Sequence, residues 1–322
     1  MWIINFIDYI FSNLSNVCYY RQTNKNIILA KRYHRITCII IHPDGRIITG
    51  SQDSTLRIWS KFCNDAYFTM TGHTDVVTCV AILPDSRIIS GSTDKTIKIW
   101  NQNTGLPDFS LNLSKPINCI KVLNKNVICG LTNGSLIKLS LPFINQRYTF
   151  LKGHQGPVNC VTTLSNGYIV SGSDDKTLRL WNPNSDQSEA IFYGHTGSVK
   201  CVSEISDGKF ISGSDDKTLK IWNANNYIFT FMNDYNYIFN VECDATIISH
   251  TCSINCVKVL NGKIISSSGK YDRSIRIFNV DTYECEFVLT GHSASITCID
   301  ILSDHKIISG SLDKSIILWN IN

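Results

Sequence analysis

Seven short apolar runs of the form Val/Ile-x-Cys-Val/Ile punctuate this chain, and their spacing limits what it can fold into. The cysteines are Cys38, Cys79, Cys119, Cys160, Cys201, Cys256 and Cys298, at successive intervals of 41, 40, 41, 41, 55 and 42 residues. A second column, Trp59, Trp100, Leu139, Trp181, Trp222, Phe278 and Trp319, keeps the same register and takes five of the six tryptophans. Between the two stands a third element, written GSTDKTIKIW (91–100), GSDDKTLRLW (172–181), GSDDKTLKIW (213–222) and GSLDKSIILW (310–319). Self-similarity at such a period points to an array of supersecondary units, none able to bury its apolar face alone. A residue set that recurs in unit after unit serves the architecture, because a reactive site is needed once.

Each unit reads as strands. ITCIII (36–41), VTCVAIL (77–83) and ITCIDIL (296–302) are short runs rich in β-branched residues. A polar turn and a second run, RIIS or YIVS, follow. The Asp-Lys-Thr turn then leads into a third strand ending at the tryptophan column, and a looser fourth run such as AYFTM (66–70) or EAIFY (189–193) closes the unit. Both faces of the inner strands are apolar, so each small sheet belongs between two others. No helical period runs between Arg35 and the C-terminus.

Composition excludes several classes. Lys plus Arg is 30 against 26 Asp plus Glu, and no basic run exceeds two residues, so the clustered footprint of a nucleic-acid binder is missing. The opening MWIINFIDYIFSNL is interrupted by Asp8 and lacks a basic leader, which argues against a signal peptide and a membrane span. Thirteen cysteines without a secretory leader suggest a reducing intracellular setting, cytoplasmic or nuclear, where thiols act as small hydrophobes.

The units resemble WD40 repeats, with Gly-His at 72–73, 153–154, 194–195 and 291–292 and the Asp turn and Trp downstream. The family's Trp-Asp dipeptide is replaced by Trp-Asn at 100–101, 181–182, 222–223 and 319–320. The resemblance implies an all-β, seven-bladed β-propeller over residues 26–322, each blade a four-stranded sheet around a central channel. Residues 1–25 form an N-terminal extension, read as an amphipathic helix. NIILA (26–30) falls in the fourth-strand column and is expected to complete the last blade and close the ring. Structural tetrads carry over as His73–Ser90–Asp94–Trp100, His154–Ser171–Asp175–Trp181, His195–Ser212–Asp216–Trp222 and His292–Ser309–Asp313–Trp319. Three units deviate: the first has Arg32 in the histidine column, the third has Asn133 for Asp and Leu139 for Trp, and the sixth keeps His250, Ser266 and Asp272 with Phe278 and a longer turn. These are expected to be the softest part of the ring.

A Ser–His–Asp set invites a hydrolase reading, but it recurs four times and no Gly-x-Ser-x-Gly elbow accompanies it. Cys252, Cys256 and His250 lack a fourth metal ligand, and no phosphate loop occurs. No enzyme activity, cofactor, metal or small-molecule substrate is expected. The remaining candidates are loop-face residues just before the cysteine and just before the turn Asp: Arg35, Gln52, Thr78, Thr93, Asn159, Asp174, Lys200, Asp215, Tyr271 and Leu312. Their acidity at Asp174 and Asp215 suggests a polar or mildly basic peptide. The aromatic-rich excess at 227–242 reads as an added hairpin or a lengthened outer strand. The expected function is a protein–protein interaction scaffold or adaptor, a monomeric ring within a complex. The alternative is a ubiquitin-ligase substrate receptor, since IFSNLSNVCYYRQ (10–22) resembles the end of an F-box.

Overall fold

The structure, a computed structural model, describes residues 22–23, 26–31, 34–60, 66–141, 148–185, 187–225, 239–248, 250–302 and 306–321. Seven antiparallel meanders stand in a ring. The first blade comprises Ile36–Ile41, Ile47–Ser51, Leu56–Trp59 and Ala66–Met70 in spatial order. The innermost strands of the second to seventh blades are Val77–Ile82, Ile117–Leu123, Val158–Thr163, Val199–Ser206, Ile254–Leu260 and Ile296–Ile301. Their apolar residues are buried from both sides, as at Ile36, Val77, Ile117, Val158, Val199, Ile254 and Ile296, because each sheet is covered by its neighbours.

The cysteine column fills the space between blades. A Cβ placed on Gly50 would lie 2.5 Å from Cys38 Sγ and 2.8 Å from Val77 Cγ1 of the next blade. Glycine therefore lets the thiol and the neighbouring Val or Ile nest against bare backbone. Burial pushes the Cys38 and Cys160 thiols up to about 12, so they behave as core groups. In the sixth blade Ser267 occupies the glycine position, and its buried hydroxyl has no hydrogen-bond partner. Cys256 Sγ there lies 3.9 Å from Ile299 O, three residues further along the adjoining strand than the homologous carbonyls that Cys119 and Cys201 approach.

The third blade does not simply lack its tetrad. Leu113, Cys129 and Leu139 fill the His, Ser and Trp columns, all at most 9% exposed and within one apolar cluster shared with the second blade. Replacing a buried polar set by packed apolar groups is close to neutral in stability. The packing thus gives no ground for a soft third blade.

The ring closes at a seam. Asn26–Lys31 pairs antiparallel with Ser315–Asn320, Asn26 opposite Trp319 and Lys31 opposite Ser315. Gln22–Thr23 adds a further strand outside it, so the sheet begins within the segment read as an extension. Of the residues behind the helix and F-box readings of the N-terminus, 1–21 and 24–25 lie outside the described ones, and Gln22–Thr23 is strand rather than helix; most of the 227–242 excess also lies outside the described residues. Its described end, Phe239–Val241, pairs parallel with Ser188–Phe192 of the fourth blade, while Ala245–Ile248 is the fifth blade's own outer strand. Those three residues therefore neither lengthen the fifth blade's outer strand nor pair with it as a hairpin; they cover the preceding blade's edge. Among the described residues no helix is long and apolar enough to cross a membrane.

Candidate functional site

The recurrent sets lie inside the blades. In the second, His73 Nδ1 meets Asp94 Oδ2 at 2.7 Å, His73 Nε2 meets Ser90 Oγ at 2.7 Å, and Trp100 Nε1 donates to Ser90 Oγ at 2.8 Å. His154–Ser171–Asp175–Trp181, His195–Ser212–Asp216–Trp222 and His292–Ser309–Asp313–Trp319 repeat this at 2.7 to 2.9 Å. An ionised carboxylate only accepts, so Nδ1 carries the ring proton; Nε2 then accepts the serine proton while the serine accepts from the indole. Asp94 also receives the Thr96 amide at 2.8 Å and the Thr74 amide at 3.0 Å, tying the turn to the Gly-His loop. Burial alone would raise these carboxyls. Hydrogen bonds, chiefly from the histidine and from Thr or Ser two residues on, outweigh it and hold Asp175, Asp216 and Asp313 far below the ordinary range. Burial lowers His73 and His154, against the opposing pull of their aspartates. The four serines are fully buried, out of reach of any substrate.

Two deviating blades keep partial sets. Trp59 Nε1 donates to Thr49 Oγ1 at 2.9 Å, and Arg57 Nη2 bonds Asp53 Oδ2 at 2.6 Å; Arg32 lies outside the described residues. His250 bonds Asp272 at 3.0 Å and Ser266 at 2.7 Å.

The loop rim is organised by a backbone clasp. Gln52 N donates to Arg35 O at 3.0 Å, Thr93 N to Val76 O at 3.0 Å, Asp174 N to Pro157 O at 2.9 Å, Asp215 N to Ser198 O at 2.9 Å and Leu312 N to Ser295 O at 3.0 Å. The clasp brings Arg35, Gln52, Thr93, Asp174, Asp215 and Leu312 onto one rim. Tyr271 stands out from the sixth blade's longer turn, 76% exposed, with Lys270 Nζ 5.6 Å from its ring centre.

Inside the rim is a cavity of about 320 Å³ lined by Thr37, Thr78, Asn118, Asn159, Lys200 and Asn255, one from each of six blades. Each is the x of its Val/Ile-x-Cys run, skipped by a β-bulge in the innermost pairing, and such a bulge re-aims the side chain. Thr37 Oγ1 donates to Val77 O at 2.5 Å, Thr78 Oγ1 to Ile117 O at 2.6 Å, Asn159 Nδ2 to Val199 O at 3.0 Å and Asn255 Nδ2 to Ile296 O at 2.7 Å. Thr297 Oγ1 closes the ring on Ile36 O at 2.8 Å. Thr78 and Asn159, expected from sequence to greet a partner, thus direct their donors at the next blade. Their role as interblade clips had no sequence signal beyond small polar residues recurring in the x column.

The acidity expected at Asp174 and Asp215 is partly balanced. Lys200 Nζ lies 3.2 Å from Asp174 Oδ1 and 3.3 Å from Asp215 Oδ2. Asp174 Oδ1 also accepts from Asn159 Nδ2 at 2.7 Å and from Ser198 Oγ. Burial would raise the Asp174 carboxyl, but these donors hold it below its ordinary value. The three charges leave one net negative at this edge of the mouth.

Comparison with known families and structures agrees with this geometry. The family model described as WD domain, G-beta repeat matches residues 28–60, 65–101, 145–182, 186–223, 241–279 and 283–320. Its gap falls on the blade whose tetrad is apolar. Among solved structures, the crystal structure of the WD40 beta propeller domain of Doa1 is similar at 21% identity and a TM-score of 0.77, over 95% of this chain and 97% of that one. No curated protein matches.

Proposed function

This chain belongs to the WD40 repeat family, and on that premise we propose that it is a non-enzymatic scaffold or adaptor that presents its channel mouth to peptide segments of other proteins. Propellers of this family generally mediate protein interactions. The observation that carries the reading is the convergence of polar side chains from six blades on one cavity, inside a rim of exposed groups. The rest of the polar machinery is internal bracing. A site built on a rigid ring can select a partner without moving.

The test places a photo-crosslinking residue at Gln52, Thr93 or Tyr271 on the rim, and at Thr149 or Thr246 on outer strands. Rim positions are expected to capture partner proteins whose yield falls when Asp174 and Asp215 are both reversed to lysine. Capture from the outer strands alone, indifferent to that reversal, would overturn the assignment of this face.

A further inference from the structure

The donors and acceptors at the mouth are not balanced, and the imbalance names a ligand chemistry. Every interblade clip uses a donor: the Thr37 and Thr78 hydroxyl protons and the Asn159 and Asn255 amide protons are directed at backbone carbonyls. The amide orientations are dictated by those carbonyls, since only the nitrogen can face them. What each of these four clips leaves toward the cavity is an acceptor, the threonine oxygen or the asparagine Oδ1, while the unclipped Asn118 can turn its amide oxygen to a donor ligand. Lys200, the cation of the lining, is already engaged by two carboxylates. Asp174 has its three partners all on Oδ1, and Asp215 meets Lys200 through Oδ2, so one oxygen of each carboxylate stays open at the rim. Asp174 is fixed by its donors before any ligand arrives, which lowers the cost of binding.

Resting on the reading of this face as the partner surface, we infer that the axial cavity receives an arginine side chain from the partner. A guanidinium has five N–H donors in a rigid plane and no acceptor, the complement of a ring of dispersed acceptors with one net negative charge. A lysine ammonium offers three donors from a single point and serves such a ring less well.

The probe is a five-residue peptide, Ala-Ala-Arg-Ala-Ala, titrated by calorimetry into the full chain beside its citrulline and lysine counterparts. Citrulline keeps the shape and loses the charge. The arginine peptide is expected to bind about tenfold or more tightly than the citrulline peptide, as for loss of a charge-assisted pair. Asp174→Asn is expected to weaken it severalfold. Asn118 makes no interblade clip, so Asn118→Asp adds an acceptor charge without loosening a blade junction and should tighten binding, while Asn118→Lys should abolish it. Equal affinity for arginine and citrulline, a preference for lysine, or no response to either Asn118 variant would overturn the inference. If rim crosslinking still captured partners in that event, the functional reading would stand and the arginine assignment alone would fall.

Discussion

Thr78 Oγ1 donates to Ile117 O at 2.6 Å, joining the second blade to the third through a side chain that a β-bulge has turned toward the axis. The same hydroxyl lies 3.0 Å from Gly91 O on its own blade. Thr78→Val keeps the shape and removes both contacts. It is expected to lower the free energy of unfolding by about 1 kcal/mol, the net worth of such a bond. Urea denaturation measures this, and an unchanged midpoint would mean the clip is decorative.

The third and fifth blades fill one volume with opposite chemistry, and a pair of reciprocal substitutions exposes it. Ser212→Cys weakens the acceptor of Trp222 Nε1 and the donor to His195 Nε2, both buried. Cys129→Ser places a hydroxyl beside Leu113 and Leu139. Each is expected to cost about 1–3 kcal/mol, the range for an ill-satisfied buried polar group. Thermal melts that tolerated Cys129→Ser would contradict the apolar reading of that blade.

Acid should loosen the ring in two stages. His73, His154 and His250 are held below the ordinary histidine value of 6.5, chiefly by burial. The unfolded chain therefore takes up their protons first, and the stability they contribute is complete above about 6.5 and lost as pH falls below it. Asp175, Asp216, Asp272 and Asp313 lie below the ordinary 3.8, despite burial, because of their hydrogen bonds, so a further loss follows under about pH 4. Denaturant midpoints should fall from pH 7.5 to 5 and again below 4; a midpoint that rises on acidification would reverse the sign.

Gly50 and Ser267 occupy equivalent places, and their exchange partners should move stability in opposite directions. Gly50→Ala drives a methyl into Cys38 Sγ and Val77, with an expected cost of about 1–3 kcal/mol from overpacking. Ser267→Gly removes a buried hydroxyl without a partner and should stabilise by up to about 1 kcal/mol. A stabilising Gly50→Ala in calorimetric melts would refute the close nesting.

The blade count and the strand order were legible because cysteine and tryptophan recur at fixed offsets, which a repeat enforces. The Asn26–Lys31 seam followed from the same register. What escaped was three-dimensional. Leu113, Cys129 and Leu139 look like losses when each is compared with its column, and only packing shows that they replace one another's partners. That Thr78 and Asn159 also clip neighbouring blades was not legible, because a bulge, not a residue type, decides where they point. Lys200 between Asp174 and Asp215 joins residues 26 and 15 positions apart in sequence, and nothing in the period announces it. The parallel pairing of Phe239–Val241 onto the previous blade breaks the repeat, so the repeat could not foretell it.

The seam at Asn26 and Trp319 also sets a clock. Synthesis delivers Asn26–Lys31 well before its hydrogen-bonding partner Ser315–Asn320, at roughly 5–20 residues per second, so tens of seconds separate the two on the ribosome. Throughout that interval an apolar strand waits unpaired while six blades assemble behind it. Completion of the ring therefore waits until Ser315–Asn320 has emerged, however early the other blades assemble.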